Sequence, residues 1–464
     1  MTVGTSGDPL RVAIIGSGPS GFYAADELQS QPGLHAQIDM YDRLPTPFGL
    51  VRGGVAPDHQ KIKSVTRVYD KIASHPEFRF YGNVEFGRDV THADLTAYYH
   101  AIVYAVGAGS DRRMGVPGEH LPGSHSATDF VGWYNGHPDF RRFAFDLTGR
   151  HAVIVGNGNV AMDVARILAT PVEHLGATDI AEHAIEALAA SRIEEITILG
   201  RRGPAQAACT SRELKELGEI PGVAAVADPA EIAIDHGTEV EISSDRQKQA
   251  NVEVLRRFAT RTATDGARRV VLRFLLSPVE VTGTDRVEGV VCARNELHRG
   301  ADGRLRARHT TQRIAFPADI VFRAIGYTGV PLPGVPFDHA LGVIPNTEGR
   351  VLDMARDGVV TGEYTVGWIK RGPQGVIGTN KTDAQETVAS LLEDVADGRL
   401  NHRTVPGREV LERLLRERRS DLVTFDDWRR LDALETARGA ERGRPRLKFT
   451  SVEEMVAALA DLPE

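Results

Sequence analysis

Two stretches of the chain place glycines where a backbone must turn tightly and meet an anion: Gly16-x-Gly18-x-x-Gly21 and, later, Gly156-x-Gly158-x-x-Ala161. Small residues at these spacings let a strand run into a helix while main-chain N–H groups at the helix N-terminus take a pyrophosphate. The residue type at the tip of the next strand separates the two. QIDMYD ends on Asp42, an acid placed to bind a ribose 2'-hydroxyl. EEITILGRR ends on Arg201 and Arg202. An acid there would repel a ribose 2'-phosphate, whereas paired guanidinium groups fork onto it through charge-assisted hydrogen bonds. Taken singly, each motif has a plainer explanation, a glycine-rich turn without a ligand or a solvated basic turn. Together they give one chain an acid-tipped and an arginine-tipped dinucleotide site.

The elements that must hold these groups can be read around them. In RVAIIGSGPSGFYAADEL an apolar strand over 12–15 precedes the first loop, and the following helix turns Ala24, Ala25 and Leu28 inward. RHAVIVGNGNVAMDVARIL repeats the plan, with a strand over 152–155. The interval from Gly156 to Arg201 is longer than a minimal strand-helix-strand unit, and TPVEHLGATDIAEHAIEALAAS fills it as inserted helical structure. Two dinucleotides in one chain point to a hydride relay, most simply from NADPH to FAD, with the arginines selecting NADPH over NADH.

Three further stretches bear on such a relay. LPTPFGLVRGGVAPDHQKIKSV is a Pro/Gly-rich loop running into a helix, and ordering so long a loop points to a ligand that it wraps. HAIVYAVGAGSD gives a buried strand over 101–106 that ends in Gly107 and closes the first domain. In TVGWIKRGPQGVIGTNKTDAQETVASLLEDV, Gly375, Gly378 and the turn Thr379-Asn380 precede a helix with Ala384, Val388, Leu391, Leu392 and Val395 at helical spacing, and Asp383 with Glu386 reads as a capping box. Its N-terminus could offer N–H groups and a positive dipole to an electron-rich ring edge, such as the pyrimidine side of a reduced flavin. A helix packed on the core with nothing at its end would have the same pattern.

Composition sets the outer limits. The 464 residues, 41% hydrophobic and 25% charged, suit two or three ordinary globular domains. No apolar run is long enough to span a bilayer and MTVGTSGDPLRVAIIG lacks a signal-peptide pattern, so a cytoplasmic location without stable membrane insertion is expected. The net charge of -8 argues against nucleic acid as a partner. Cys209 and Cys292 form no Cys-x-x-Cys pair and no iron–sulfur ligand set, so no metal site is expected and metal-centre chemistry would come from a partner.

These residues resemble the adrenodoxin-reductase-like branch of the ferredoxin:NADP reductases. The match rests on GSGPSG, PTPFGLVRGGVAPDHQKIK, GNGNVAMDVAR, LGRRGPAQAACTSRELKEL, FRAIGYTGVPLPGVPF and GWIKRGPQGVIGTNKTDA. The resemblance implies an α/β fold of two interleaved, three-layer, Rossmann-like domains. A discontinuous FAD domain, 1–110 and 321–464, would carry an inserted NADP domain, 111–320. It also implies electron transfer from NADPH through FAD to a ferredoxin-type iron–sulfur protein. By motif, Gly16, Ser17, Gly18, Gly21, Asp42, Leu50, Val51, Trp368, Gly375, Val376 and Ile377 would contact FAD. Asn157, Asn159, Val160, Arg201, Arg202 and Glu213 would contact NADPH. His59 and Glu216 would flank the reacting rings and handle a proton. Asp42 stands where relatives commonly show glutamate, a shorter reach to the ribose, and Cys209 is expected in the core.

The acceptor requires a basic face, and Arg256, Arg257 and Arg261 of VEVLRRFATR are candidates for steering an acidic ferredoxin, although a solvated helix face explains them equally. The tail over 401–464 mixes charges of both signs with short helical patterns such as VEEMVAAL, and packing on the FAD domain is its only expected task. A flavin monooxygenase and a non-catalytic FAD/NADP-binding sensor share the two-loop pattern and remain open at this point.

Overall fold

Short runs of β-branched and aliphatic residues, buried on both faces, are what parallel strands covered by helices require. The computed structural model describes residues 3–234, 236–261, 267–300, 305–356, 358–401 and 405–461. It divides the chain into two units. The first comprises Met1–Val55, His59–Ser110 and Tyr327–Glu464; the second comprises Ala56–Asp58 and Asp111–Gly326.

In the first unit LRVAII forms the strand Leu10–Ile15, with every residue but Arg11 buried. It lies between Ala36–Tyr41 and Ala101–Tyr104, parallel to both. Phe78–Tyr81 continues the sheet on one side and Gly358–Thr365 on the other, again parallel. Two antiparallel strands, Arg350–Asp353 and Asn346–Thr347, complete seven. Because the chain moves outward from Leu10–Ile15 in both directions, a crevice opens beyond that strand's C-terminal end, where open α/β sheets bind ligands. The helix Pro19–Gln29 leaves that point and buries Phe22, Ala25 and Leu28.

The second unit repeats the device. His151–Val155 is flanked by Ile320–Arg323 and Glu195–Leu199 in a six-stranded sheet whose pairings are all parallel. The helix Asn159–Ala169 leaves its tip and buries Ala161, Val164, Ala165 and Leu168. The expected insertion contains two helices, Val172–Leu175 and Glu182–Ala189. A separate antiparallel sheet, Leu276–Thr282, Gly289–Arg299 and Leu305–Pro317, belongs to this unit.

Several boundaries differ from the sequence reading. The first-loop strand begins two residues earlier, at Leu10, and the strand expected over 101–106 stops at Tyr104. The loop after Asp42 contains short helices at Leu50–Gly53 and Gln60–Lys63. The expected capping box at Asp383 and Glu386 is not formed. The helix starts at Thr379 with Gly378 as its N-cap, and both acids sit inside it with tertiary partners. Asp383 accepts from the Gly367 N–H and pairs with Lys370 at 3.3 Å, while Glu386 pairs with Lys370 at 2.5 Å.

Candidate functional site

Each glycine loop is built by the same local constraint. Gly16 has φ +108 and Gly156 φ +118, and a Cβ at these positions would stand 2.5 Å from Ala105 O and 2.2 Å from Ala324 O. These glycines are demanded by the fold itself. Gly18 and Gly158 are different, since a Cβ there meets nothing within 4 Å. The space above them is open, and each is the N-cap of a helix that has no side-chain cap. Uncapped first-turn N–H groups beside an open glycine form a cradle for a pyrophosphate.

At the first strand tip, Asp42 Oδ2 accepts from the Ser17 N–H at 3.1 Å and from the Ser17 hydroxyl, and Oδ1 accepts from the Leu44 N–H at 3.0 Å. The acid thus ties the glycine loop to the chain leaving the strand. Phe48 donates its N–H to Ser17 O at 2.9 Å, which lays the next segment against the same loop. In this segment Val51 is buried, while Leu50 is 39% exposed. Far along the chain, Trp368 is half-buried, donates Nε1–H to Gln374 O at 3.2 Å and packs against Tyr327. Val376 is 57% exposed, Ile377 is partly buried, and Gly375 takes φ +83 in the turn. The N-termini of the helices Pro19–Gln29 and Thr379–Ala396 are joined, because the Ser20 hydroxyl donates to Asn380 Oδ1 at 3.1 Å. The uncapped N-terminus of Pro19–Gln29, its open glycine and the exposed aliphatic side chains fit a large flat cofactor with a pyrophosphate, as FAD is.

At the second strand tip Arg201 and Arg202 are exposed, and among the described residues neither guanidinium has an acidic partner. Their backbone is fixed. Asn295 Nδ2 donates to Arg201 O at 2.8 Å, Leu275 N–H to Arg202 O at 3.1 Å, and Leu276 N–H to Gly200 O at 3.0 Å. Gly200 leaves room for Asn157, whose Nδ2 would be 2.7 Å from a Cβ at that position. Asn159 Oδ1 accepts from the Thr210 N–H at 2.8 Å, and Val160 is half-buried beside it in the first turn. Two free cations on a rigid turn, beside an uncapped helix, fit a 2'-phosphorylated dinucleotide.

A buried ion cluster lies behind this loop and was missed in the sequence. Arg166, one turn from the end of the loop helix, pairs with Asp58 at 2.6 Å, Asp163 at 2.7 Å, Glu213 at 3.0 Å and Glu216 at 3.7 Å. Burial pushes the Asp163 carboxyl up to about 6, Arg166 opposing it and the charges of Asp58 and Glu216 adding to it. The spacing from Asp163 to Arg166 was the available signal, an i,i+3 pair on a helix whose inner face is otherwise apolar. Glu213 and Glu216 therefore share one cation in the second unit. His59 belongs to the first unit, where its carbonyl accepts from the Ile62 and Lys63 N–H groups.

Arg256 and Arg257 are exposed but paired, with Glu239 at 2.9 Å and Glu253 at 3.3 Å. Arg261 donates to Gly218 O at 3.2 Å and lies over the Phe258 ring. Cys209 is buried and burial pushes its thiol up to about 12, so it is a core residue and no nucleophile at neutral pH. Among the described residues no helix is long and apolar enough to cross a membrane.

Two sheets of this topology, each with a glycine-loop cradle, define an α/β oxidoreductase of the two-dinucleotide type. The family model described as pyridine nucleotide-disulphide oxidoreductase matches residues 10–353, and the chain belongs to that family. It is 48% identical to NADPH-ferredoxin reductase FprA of Mycobacterium leprae, over 96% of this chain and 97% of that protein. It is 41% identical to the mitochondrial NADPH:adrenodoxin oxidoreductase of Arabidopsis thaliana, over 98% of this chain and 96% of that one. A solved structure of Mycobacterium tuberculosis FprA in complex with NADPH superposes with a TM-score of 0.92 at 46% identity, covering 97% of this chain and all of that one. The disulphide of the family description has no counterpart in chemistry here, since Cys209 and Cys292 are both free and buried.

Proposed function

We propose that this chain is an FAD-dependent ferredoxin:NADP reductase, drawing electrons from NADPH and delivering them to a one-electron iron–sulfur acceptor of the ferredoxin type in the cytoplasm. The observation that carries the reading is the pairing, in one chain, of an open glycine cradle whose strand ends on an acid with another whose strand ends on two unpaired arginines. The names of the near-full-length relatives support the acceptor class.

In this reading Gly16, Ser17, Gly18 and Gly21 receive the FAD pyrophosphate and Asp42 faces its ribose. Leu50, Val51, Trp368, Gly375, Val376 and Ile377 line the ring system. Arg201 and Arg202 take the NADPH 2'-phosphate, with Asn157, Asn159, Val160 and Glu213 along the rest of the dinucleotide. Bound FAD supplies the conversion of a two-electron hydride into single electrons. The protein positions the rings, excludes water and, through His59 and Glu216, holds or moves a proton. Arg166 holds Glu213 and Glu216 in place, with Arg212 also on Glu216. Arg261, together with Arg256 and Arg257 whose charges are partly offset by Glu239 and Glu253, steers an acidic partner, so the effect of salt on association should be modest.

An anaerobic titration of the flavin-loaded protein with NADPH, followed by an oxidised bacterial ferredoxin, tests the proposal. Bleaching of the visible flavin band and then reduction of the ferredoxin is the expected course. Bleaching with a ferredoxin that stays oxidised would overturn the acceptor, and a protein that takes up no FAD would overturn the reductase.

A further inference from the structure

The C-terminal tail has no task in the reading above, yet it carries the most deeply buried acid of the first unit. Glu435, on the helix Phe425–Ala440, is 0% exposed. Its carboxylate receives both arms of the Arg52 guanidinium, at 2.8 Å and 2.5 Å. It also accepts from the Phe449 N–H at 2.9 Å and from Arg446 at 3.2 Å. Burial acts to raise this carboxyl, and Arg52 ahead of Arg446 outweighs it, so the group stays ionised.

Arg52 follows Leu50 and Val51 in the segment that lies on the first glycine loop. Its guanidinium also sits 5.1 Å over the Trp428 ring, and Phe48 meets the same ring edge-on at 5.7 Å. Lys448 donates to Arg52 O at 3.4 Å. From the other side, a Cβ at Gly49 would stand 3.0 Å from Gly18 Cα, and Phe48 is held at φ +86, a conformation non-glycine residues adopt only under constraint. The segment is thus pressed between the glycine loop and the tail. The return of the tail is itself tight, because a Cβ at Gly439 would meet Arg446 Cα at 2.4 Å.

We infer that Glu435 is a positioning residue for the flavin: by clamping Arg52 it holds residues 48–51 in the conformation that meets the cofactor, and the tail is part of the FAD-binding apparatus. The arginine of FGLVRGG is thereby committed to the tail and does not serve as a phosphate ligand. The inference rests on the reading that the first unit holds FAD.

The test compares the full-length wild type with Glu435→Gln, Arg52→Gln and the conservative Arg52→Lys. FAD is titrated into each deflavinated protein, and amide exchange is followed over residues 46–55 and over the strands Leu10–Ile15 and His151–Val155. Expected is an FAD Kd raised about tenfold or more, ~1.4 kcal/mol, in both glutamine variants, faster exchange over 46–55, protected strands, and partial recovery in Arg52→Lys. Arg52→Gln leaves the tail's own sequence unchanged, with the Phe449 N–H and Arg446 still on Glu435, and decides the matter should Glu435→Gln fail to fold. A wild-type Kd in Arg52→Gln, or unchanged exchange over 46–55, would overturn the clamp. A wild type that binds no FAD would instead remove the functional reading, and with it the flavin half of the inference.

Discussion

The two glycine loops of this chain share their backbone plan and differ at their strand tips. Both turn through a positive-φ glycine against a carbonyl of the neighbouring crossover, and both leave the second glycine open to a ligand. At the first tip the acid Asp42 is spent partly inward, on Ser17 and Leu44. At the second the backbone is anchored by Asn295 and Leu275, and two guanidinium groups remain outward. In the proposed reading the scaffold provides for a dinucleotide at each loop, and a few side chains at the strand end choose which one.

The strongest way to break the comparison is to disable one loop at a time. Gly16→Ala and Gly156→Ala each force a methyl against a backbone oxygen at a left-handed φ, and a loss of about 3 kcal/mol or more is expected in the affected unit. Gly16→Ala should lose FAD while retaining NADP+ binding measured by calorimetry, and Gly156→Ala should do the reverse. Loss of both ligands in both variants would show that the loops are not separable.

A second difference concerns acid. His125, on the edge strand Ser124–Ser126 of the second unit, packs against Phe145 and Phe322. Burial, and then Arg323, push its pKa down to about 4. The unfolded chain takes up this proton near pH 6.5, so the contribution of His125 is intact above that pH and is lost as the pH falls toward 4, by at most ~3 kcal/mol. Urea unfolding of wild type and His125→Phe across this range should show the wild type losing ground to the variant. Parallel curves would contradict the assignment.

The smallest effect is expected at Asp42. Asp42→Asn keeps an acceptor for Ser17 but removes the charge, and FAD affinity should fall by about 1–2 kcal/mol with the NADPH Michaelis constant unchanged. A change in nicotinamide selectivity would blur the distinction between the tips.

The loops, their strands and the arginine tip were readable because the cause is local: a glycine spacing, an apolar run, a residue at a fixed offset. The helix at Thr379 was readable in the same way, but its cap was not, for the complementary reason. Asp383 and Glu386 look like a cap in sequence, but Lys370 and the Gly367 N–H, brought back by the fold, claim them. The same holds for the tail, where Arg52 and Glu435 are far apart in sequence and a charged residue is by default solvated. Arg166 is the intermediate case, since its pairing with Asp163 is local while its contacts with Asp58 and Glu213 depend on the fold.

The central claim, that Arg201 and Arg202 select the electron donor for a flavin held elsewhere in the chain, is tested most directly by anaerobic rapid mixing of FAD-loaded wild type and Arg201→Ala/Arg202→Ala with NADPH and with NADH. The double variant should lose roughly 2–4 kcal/mol of apparent NADPH affinity, bleach its flavin at an unchanged rate with NADH, and keep its FAD. Equal losses for both nicotinamides, or a preference for NADPH that survives both substitutions, would contradict it.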